Sequence, residues 1–199
     1  MIGCVSTTRR DWPEIEKRSE ALYITGAGKP DMASLTLGSL NFPGGPSINS
    51  IDMISQLALI MKNKQIVPEL EVFDAGMINL AKVLEAKKII EGKKYFNLLL
   101  GSINSSSAHV KDLTYLVSCL PENSTWAATG IGQFQLPINI AAMVMGGNVR
   151  IGLEDNIYYD YYKKNLASNL QLVKRIRRIS EEIDRPIASP SQAREFIGL

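Results

Sequence analysis

The sequence predicts an α/β protein whose sheet is parallel. Six short runs rich in apolar and β-branched residues alternate with longer stretches of helical periodicity, at a spacing of roughly 30 residues. Strict βαβα alternation is typical of parallel strands joined by right-handed crossover helices. No linker, low-complexity segment or block of charge divides residues 1–199, which predicts a single domain. The strand candidates are Ile2–Ser6, Met32–Leu37, Glu69–Phe73, Tyr95–Leu100, Thr125–Ala128 and Asn148–Ile151.

Most of the predicted helices have a recognisable start. Ser50 precedes apolar residues at i, i+3 and i+4 spacing over 51–61. Asp11 precedes the letters WPE, which predicts a capped helix with proline in its first turn. Ser189, followed by a proline and by Gln192, predicts a capping box at the start of a short last helix. Further helices are predicted at Met77–Ala86, Val110–Ser118, Leu136–Met145 and Asn169–Ile183.

Two of these helices carry a prediction about packing. The helix over 136–145 is nearly all apolar, which predicts that it packs on both sides. The helix over 169–183 is amphipathic, so we expect one face to be buried and the other to be solvated. The apolar face carries Leu170, Val173, Ile176, Ile179 and Ile183, and the solvated face carries Lys174, Arg175, Arg177 and Arg178.

Composition excludes several function classes. With 45% hydrophobic and 21% charged residues, the chain has the balance of an ordinary globular domain. A net charge of +2 predicts no steering towards nucleic acid or acidic membranes. No apolar run approaches the roughly 20 residues of a membrane span, and Met1 to Thr8 do not read as a secretory signal. Cys4 and Cys119 form no C-x-x-C pair, so we expect free thiols and a cytoplasmic location.

Two architectures fit the alternation: an open doubly wound sheet and a (β/α)8 TIM barrel. No G-x-G-x-x-G follows the first strand candidate, which argues against a dinucleotide-binding open sheet. Polar residues recur instead at several strand ends, as in barrel active sites. Six βα units are two fewer than a closed barrel has, so we predict an incomplete barrel. The polar strand ends are STT at 6–8, Thr36, Glu71, Asp74, TGIG at 129–132 and Glu154-Asp155.

The strongest functional signal is the segment GLEDN at 152–156, directly after the last strand candidate. The two-residue period of a strand puts Arg150, Gly152 and Glu154 on one face. Glu154 and Asp155, adjacent behind a strand end, can supply a metal ligand and a general base. The spacing leaves two other interpretations open, a polar turn and a buried structural ion pair.

Four separated motifs, together with the chain's ending, resemble the family of β-keto acid cleavage enzymes. The motifs are SLTLGSLNF at 34–42, PELEVFD at 68–74, ATGIG at 128–132 and NVRIGLEDN at 148–156, and the ending is AREFIGL at 193–199. The motifs occur in the family's order, and the resemblance runs from the first strand candidate to the last residue. The family's best-known activity is the 3-keto-5-aminohexanoate cleavage of lysine fermentation.

The resemblance implies a fold, a reaction and partners. Family members are (β/α)8 barrels that bind a divalent metal, usually zinc, and form tetramers. They transfer the acyl part of a β-keto acid onto acetyl-CoA, giving acetoacetate and a new CoA thioester. We therefore expect a metal-dependent acyltransferase that acts on a β-keto acid and acetyl-CoA and assembles as a homo-oligomer.

The resemblance also implies roles for particular residues. Glu154 falls on the family's glutamate metal ligand, Asp155 on its general base and Arg150 on the arginine that orients this base. Thr8, Thr36 and Glu71 fall on positions that contact the substrate.

The loop over 129–132 follows the seventh barrel strand if the chain is counted as the last six units of the barrel. Barrels often bind phosphates there through backbone N–H groups, so Gly130 and Gly132 are predicted to hold the pantetheine arm or the phosphates of CoA. A plain turn is the other interpretation.

The chain departs from the family pattern in two places. Arg9 stands where the family usually has a glycine whose N–H approaches the substrate carboxylate. The family's two histidine metal ligands form a His-x-His pair on the second barrel strand, whereas this chain has one histidine, His109, expected to lie at the surface. The chain therefore resembles the last six βα units of the barrel, starting at strand three.

This departure keeps two other interpretations open. One is a truncated or split homologue without activity of its own, which needs a partner chain to supply the His-x-His ligands. The other is a barrel lyase or aldolase that uses the same carboxylates with magnesium. Asp74, at the end of the third strand candidate, is expected to cap the next helix rather than to act in the site.

Overall fold

The computed structural model of the protein describes residues 1–8 and 12–199 and contains a six-stranded sheet in which every pair of neighbours is parallel. This confirms the predicted α/β class and all six strand candidates, with ends that differ by at most two residues. In spatial order the strands are β1 (Cys4–Val5), β2 (Met32–Thr36), β5 (Val67–Val72), β6 (Lys94–Leu100), β7 (Ser124–Gly130) and β8 (Asn148–Val149).

The crossover helices follow the strands in the predicted order. Ser50 and Asp74 each accept a hydrogen bond from the backbone three residues on, and Ser189 forms the predicted capping box with Gln192. None of the helices in the described part of the chain is both long and apolar enough to cross a membrane. The helices are α1 (Ile15–Ser19), α2 (Ile51–Lys64), α3 (Ala75–Ala86), α4 (Val110–Cys119), α5 (Gln135–Val144), α6 (Asn169–Glu182) and α7 (Pro190–Ile197).

Two helix predictions need correction: where α1 begins and how much of α5 is buried. Helix α1 begins at Ile15 after an uncapped Glu14, later than the letters WPE predicted, and the proposed cap Asp11 lies outside the described residues. Helix α5 packs on one side, since Val144 is 71% exposed.

The burial of α6 also differs from the prediction. Leu170 and Val173 are exposed, whereas Arg175, assigned to the solvated face, is buried. The Arg175 guanidinium lies 4.3 Å from the Tyr159 ring centroid and donates to the Tyr159 carbonyl at 2.5 Å, so its burial is matched by specific contacts.

A short antiparallel hairpin interrupts the alternation after β2. Its strands are β3 (Leu40–Phe42) and β4 (Gly45–Ser47), and Gly45 has φ +124°. Three-residue strands around the letters PGGP carry too little periodicity to be predicted. The hairpin matters because Leu40, Phe42 and Ser47 line the cavity at the carboxyl ends of the strands.

The two faces of the sheet differ in polarity. Leu70, Val72, Leu98 and Leu100 are fully buried in the apolar core that the helices cover. The alternate positions point to the opposite face and are polar: Ser34, Thr36, Glu69, Glu71, Tyr95 and Asn97. Because side chains alternate along a strand, one face of the sheet builds the core and the other lines a site.

The sheet curls around its polar face. Strands β5 and β8 are three places apart in the sheet, about 14 Å if the sheet were flat. The Arg150 guanidinium, directly after β8, nevertheless reaches the Glu71 carboxylate on β5 at 3.0 Å. The curl brings residues from distant strands to one place.

Candidate active site

Arg150 joins three carboxylates at the carboxyl ends of the strands. Its Nε donates to Asp155 Oδ2 at 2.9 Å, its Nη1 to Glu71 Oε1 at 3.0 Å and its Nη2 to Glu154 Oε2 at 2.8 Å. One planar guanidinium thus orients three acidic side chains, which suits the fixed fork of its donors. The structure brings together the predicted metal ligand, base and arginine.

The predicted substrate-contacting residues continue this network. Thr36 Oγ1 donates to Glu71 Oε2 at 2.7 Å, and the hydroxyls of Thr8 and Thr36 lie 3.0 Å apart. Hydrogen bonds therefore connect Thr8, through Thr36 and Glu71, to Arg150. Arg9, the other sequence feature noted beside Thr8, lies outside the described residues.

The two adjacent carboxylates have different environments. The Asp155 side chain is 4% exposed and that of Glu154 is 83% exposed. Burial raises the pKa of the Asp155 carboxyl, against the lowering effect of the Arg150 charge. Burial alone would lower the pKa of Arg150, but the charges of Asp155 and Glu71 outweigh it and raise that pKa. A buried carboxylate with a raised pKa is a stronger base than an exposed one.

Three polar groups hold the loop over 152–156. Gln135 Nε2 donates to the Gly152 carbonyl at 3.0 Å, and the Leu153 N–H donates to Asn169 Oδ1 at 3.0 Å. The Gly132 N–H donates to the Asp155 carbonyl at 2.7 Å. These bonds tie the loop to the loop after β7 and to the helices α5 and α6, so the Asp155 side chain is presented from a fixed backbone.

Asn139 secures the strand that carries Arg150. Its Nδ2 donates to the carbonyls of both Ala128 and Arg150 at 2.9 Å, and the residue is 1% exposed. The sequence reasoning missed Asn139 and Gln135. A signal was present, because they are two polar residues four apart in an otherwise apolar helix, where burial demands hydrogen-bond partners.

The two glycines predicted to bind CoA lie beside the site, Gly130 as the last residue of β7 and Gly132 two residues further on. The N–H groups of Ile131 and Gly132 donate to the carbonyls of Leu100 and Asp155, so these donors are satisfied within the chain. Gly130 has no room for a side chain, since an added Cβ would lie 2.3 Å from the Phe134 carbonyl oxygen. Gly132 has φ +63°.

A cavity of about 400 Å³ opens over this network. One part of its wall is polar and belongs to the network of Thr8, Thr36, Glu71, Arg150 and Asp155. The rest is largely apolar and comes from the hairpin and from strand ends. The apolar residues include Leu40, Phe42, Phe73, Leu99, Ile103 and Ile131.

One layer deeper, the polar face carries a second group of titratable residues. Glu69 accepts hydrogen bonds from Asn97 Nδ2 at 3.1 Å and from Cys4 Sγ at 3.6 Å. Burial, followed by the charge of Glu71, raises the pKa of Glu69. Burial and the charge of Glu69 raise the pKa of Cys4 to about 12, so Cys4 is a thiol at neutral pH and a poor nucleophile.

The described residues do not form a zinc site. Among residues 1–8 and 12–199, no three His, Cys, Asp or Glu side chains are grouped so that they could hold a metal ion. Glu154 is the one predicted ligand, and its Oε2 accepts from Arg150. Zinc needs about four ligands, so Glu154 alone does not suit it.

Two other residues take the minor roles predicted for them. His109 is exposed at the start of α4, and Asp74 caps α3 by accepting from the Met77 N–H at 3.1 Å. Neither residue lines the cavity over the Arg150 network.

An arginine that holds several carboxylates at the carboxyl ends of parallel strands is the arrangement of an enzyme active site in an α/β protein. Comparison with known proteins shows the family. The family model described as beta-keto acid cleavage enzyme matches residues 1–199, and the chain belongs to this family.

Curated relatives include two 3-keto-5-aminohexanoate cleavage enzymes. The protein of Fusobacterium nucleatum is 40% identical over 172 residues and that of Acetoanaerobium sticklandii is 36% identical over 187 residues, covering 85% and 92% of this chain. A 3-oxoadipate:acetyl-CoA acetyltransferase of Cupriavidus necator is 38% identical over 175 residues, or 86% of this chain. The chain spans 61–66% of the length of these three relatives.

The fold has a counterpart among solved structures. The apo structure of ObcA superposes with a TM-score of 0.84 at 19% identity, covering 98% of this chain and 50% of the other. At this identity the likeness concerns the fold alone. It supports the α/β architecture with parallel strands.

Proposed function

We propose that this chain carries the acid–base centre of an acyl transfer between a β-keto acid and acetyl-CoA. The observation that carries the proposal is the Arg150 network, in which one guanidinium fixes a buried carboxylate, Asp155, at the mouth of a 400 Å³ cavity. The named activities of the curated relatives support the reaction class. We further propose that the six-stranded sheet corresponds to six units of a (β/α)8 barrel.

The proposed reaction exchanges two acyl groups. In the β-keto acid, the bond between the keto carbon and the CH2–COO⁻ group breaks, and that group forms a new bond to the acetyl carbonyl carbon. The CoA sulfur passes from the acetyl group to the remaining acyl group, so the products are acetoacetate and a new acyl-CoA. The methylene that loses a proton to act as nucleophile must regain one, because acetoacetate also carries two hydrogens there.

Asp155 is the proposed proton carrier in this exchange. Its burial favours proton uptake, while the adjacent Arg150 charge keeps the carboxylate form accessible. The Thr8 hydroxyl, facing the same cavity, is proposed to exchange its contact with Thr36 for a hydrogen bond to an oxygen of the keto acid, because Thr36 donates its one proton to Glu71. Glu71 is proposed to hold both Thr36 and Arg150 in place for substrate contact.

Zinc binding is a proposal that residues 1–8 and 12–199 do not complete by themselves. We propose Glu154 as one ligand, with the remaining ligands from outside the described residues, and assign no step of the reaction to the metal. The shortage of zinc ligands among the described residues also supports a second candidate function. In that case the chain is a split homologue that acts only with a partner chain supplying the remaining ligands.

A coupled assay tests the proposed function. The purified chain should convert a β-keto acid, with 3-keto-5-aminohexanoate and 3-oxoadipate as first choices, and acetyl-CoA into acetoacetate. If conversion appears only when a partner segment carrying His-x-His is added, the split form is the correct one. If neither preparation produces acetoacetate from any β-keto acid, the proposed function is wrong.

A further inference from the structure

A second, smaller cavity adjoins the first at the carboxylates. It has a volume of about 200 Å³ and is lined by residues of the loop after β7, of the loop over 152–156 and of the loop over 157–163. Ile131, Glu154 and Asp155 line both cavities. The two cavities therefore adjoin each other at the proposed base.

The wall that belongs only to the smaller cavity differs in character from that of the larger one. Gly132, Leu153, Ile157 and Tyr158 give it an open, mainly apolar surface, to which Asn156 adds an amide and Lys163 a cation. The larger cavity instead has the threonine hydroxyls and the Arg150 guanidinium. A small keto acid carboxylate suits the larger cavity, and a long chain that ends in an anionic group suits the smaller one.

The fold fixes the position of Lys163. Lys163 has φ +58° and lies in a turn where its N–H donates to the Asp160 carbonyl at 3.2 Å. The Asp160 carboxylate accepts from the N–H groups of Lys164 and Asn165 at 3.2 and 2.7 Å. Arg175 anchors the same loop on α6 through the Tyr159 carbonyl.

The structure gives the Lys163 ammonium no ion-pair partner among the residues it describes. Lys164, the next residue, lies with its Nζ 5.8 Å from the centroid of the exposed Tyr162 ring. Lys163 and Lys164 are adjacent lysines on one turn, and Lys163 lines the mainly apolar cavity. This arrangement suits a ligand that is apolar along its length and anionic at its end.

We propose that the smaller cavity binds the pantetheine arm of the CoA thioester, with Lys163 at its mouth facing the coenzyme's phosphates. This inference rests on the proposed function, because that reaction has two substrates whose reacting carbons must meet. Two cavities that share Asp155 meet this requirement: each substrate enters from its own side, and the base lies between them. The satisfied N–H groups of Ile131 and Gly132 leave the lysine side chain to recognise the phosphates.

A pair of matched substitutions separates the two cavities. Ile157 is 51% exposed and lines only the smaller cavity, and Ile103 is 69% exposed and lines only the larger. Ile157→Trp should fill the CoA channel, and Ile103→Trp should fill the keto acid cavity. Lys163→Ala removes the proposed phosphate contact, and Lys111→Ala, at an exposed lysine on α4 away from both cavities, is its control.

Calorimetric titration with two probes, CoA and acetoacetate, provides the test. We expect Ile157→Trp to weaken CoA binding by about fivefold or more, the factor that corresponds to an overpacking cost of at least about 1 kcal/mol, without changing the acetoacetate affinity. Ile103→Trp should do the reverse. Lys163→Ala should weaken CoA binding by about fivefold, the effect of losing one exposed ion pair, while Lys111→Ala leaves it unchanged.

Three results would overturn the assignment. If Ile157→Trp and Lys163→Ala bind CoA as the wild type does, or if Ile103→Trp is the variant that loses CoA, the coenzyme binds elsewhere and the proposed function stands. Acetoacetate binding by the wild type without CoA binding would overturn the assignment and would also count against the proposed use of acetyl-CoA. A wild-type chain that binds neither probe contradicts the proposed function itself.

Discussion

Arg150 determines the electrostatics of the site at the residue scale. Among the residues that the structure describes, it is the cation in contact with Asp155, Glu71 and Glu154, and its charge opposes the effect of burial on the Asp155 pKa. Removing that charge should leave burial and the charge of Glu154 to raise the pKa further. Asp155 would then bind a proton at a higher pH than in the wild type.

The expected rise of the Asp155 pKa gives a prediction for the substitution Arg150→Met. If the carboxylate form of Asp155 is the base, activity is lost as the pH falls through its pKa, so the acidic limb of the kcat/KM profile should move to higher pH. The profile is measured for wild type, for Arg150→Met and for Arg177→Met, which removes an arginine paired with Glu181 on the surface of α6. An acidic limb that stays in place, or moves to lower pH, would contradict the role of Arg150.

The individual site residues were more predictable than their contacts. The strand-end positions of Thr36, Glu71 and Arg150 follow from periodicity, and the motif resemblance named Glu154 and Asp155. That one guanidinium reaches Glu71 across the two intervening strands, β6 and β7, could not be predicted, because this contact depends on how strongly the sheet curls. Buried Arg175 was misassigned for a similar reason, since its partner Tyr159 lies 16 residues away.

At the element scale, α5 acts as a support for β8. Strand β8 is two residues long, and its register with β7 ends at Val149. Beyond that point the backbone of Arg150 is held by its own N–H to the Ala128 carbonyl and by Asn139 from α5. The position of the guanidinium therefore depends on a helix side chain as well as on the sheet.

The substitution Asn139→Leu should test this support. It leaves the Ala128 and Arg150 carbonyls without their side-chain donor, and an unsatisfied buried polar group costs about 1–3 kcal/mol. We expect the free energy of unfolding in urea to fall by about that amount. Asn148→Leu is the matched control, because Asn148 also donates to a β7 carbonyl, that of Trp126, but is exposed. Equal losses in both variants would refute a special role for Asn139.

Element types were predictable from sequence, and element ends and packing were less so. The capping residues Ser50, Asp74 and Ser189 set three helix starts because their local hydrogen bonds are encoded within four residues. The hairpin after β2 was missed because its short strands have no measurable period. The exposed faces of α5 and α6 were predicted to be buried, since apolar spacing alone does not show what covers a helix.

At the scale of the whole molecule, the exposed apolar side chains predict self-association. Val144 on α5, Leu170 and Val173 on α6 and the nearby Leu166 are all more than half exposed. Burying them in a contact between copies would be favourable. We expect multi-angle light scattering to show a homo-oligomer, and a monodisperse monomer at high concentration would refute this.

The donor set of the described residues predicts weak zinc binding by this chain. Glu154 is a single carboxylate that is already paired with Arg150, and no cluster of His, Cys, Asp and Glu from the described part of the chain surrounds it. Calorimetric titration of zinc into the purified chain should therefore show no tight stoichiometric binding. Tight binding that Glu154→Gln abolishes would contradict this expectation.

The central claim is that Asp155 moves the proton of the β-keto acid, and the most direct test needs neither CoA nor turnover. Acetoacetate is incubated with the chain in D2O, and NMR follows the loss of its C2 protons relative to buffer alone. We predict that the wild type and Asp52→Asn, an exposed control on α2, accelerate exchange, and that Asp155→Asn falls to the buffer rate, a loss of up to about 10²- to 10⁴-fold. If Asp155→Asn exchanges as fast as the wild type, or if the wild type gives no acceleration, the claim is wrong.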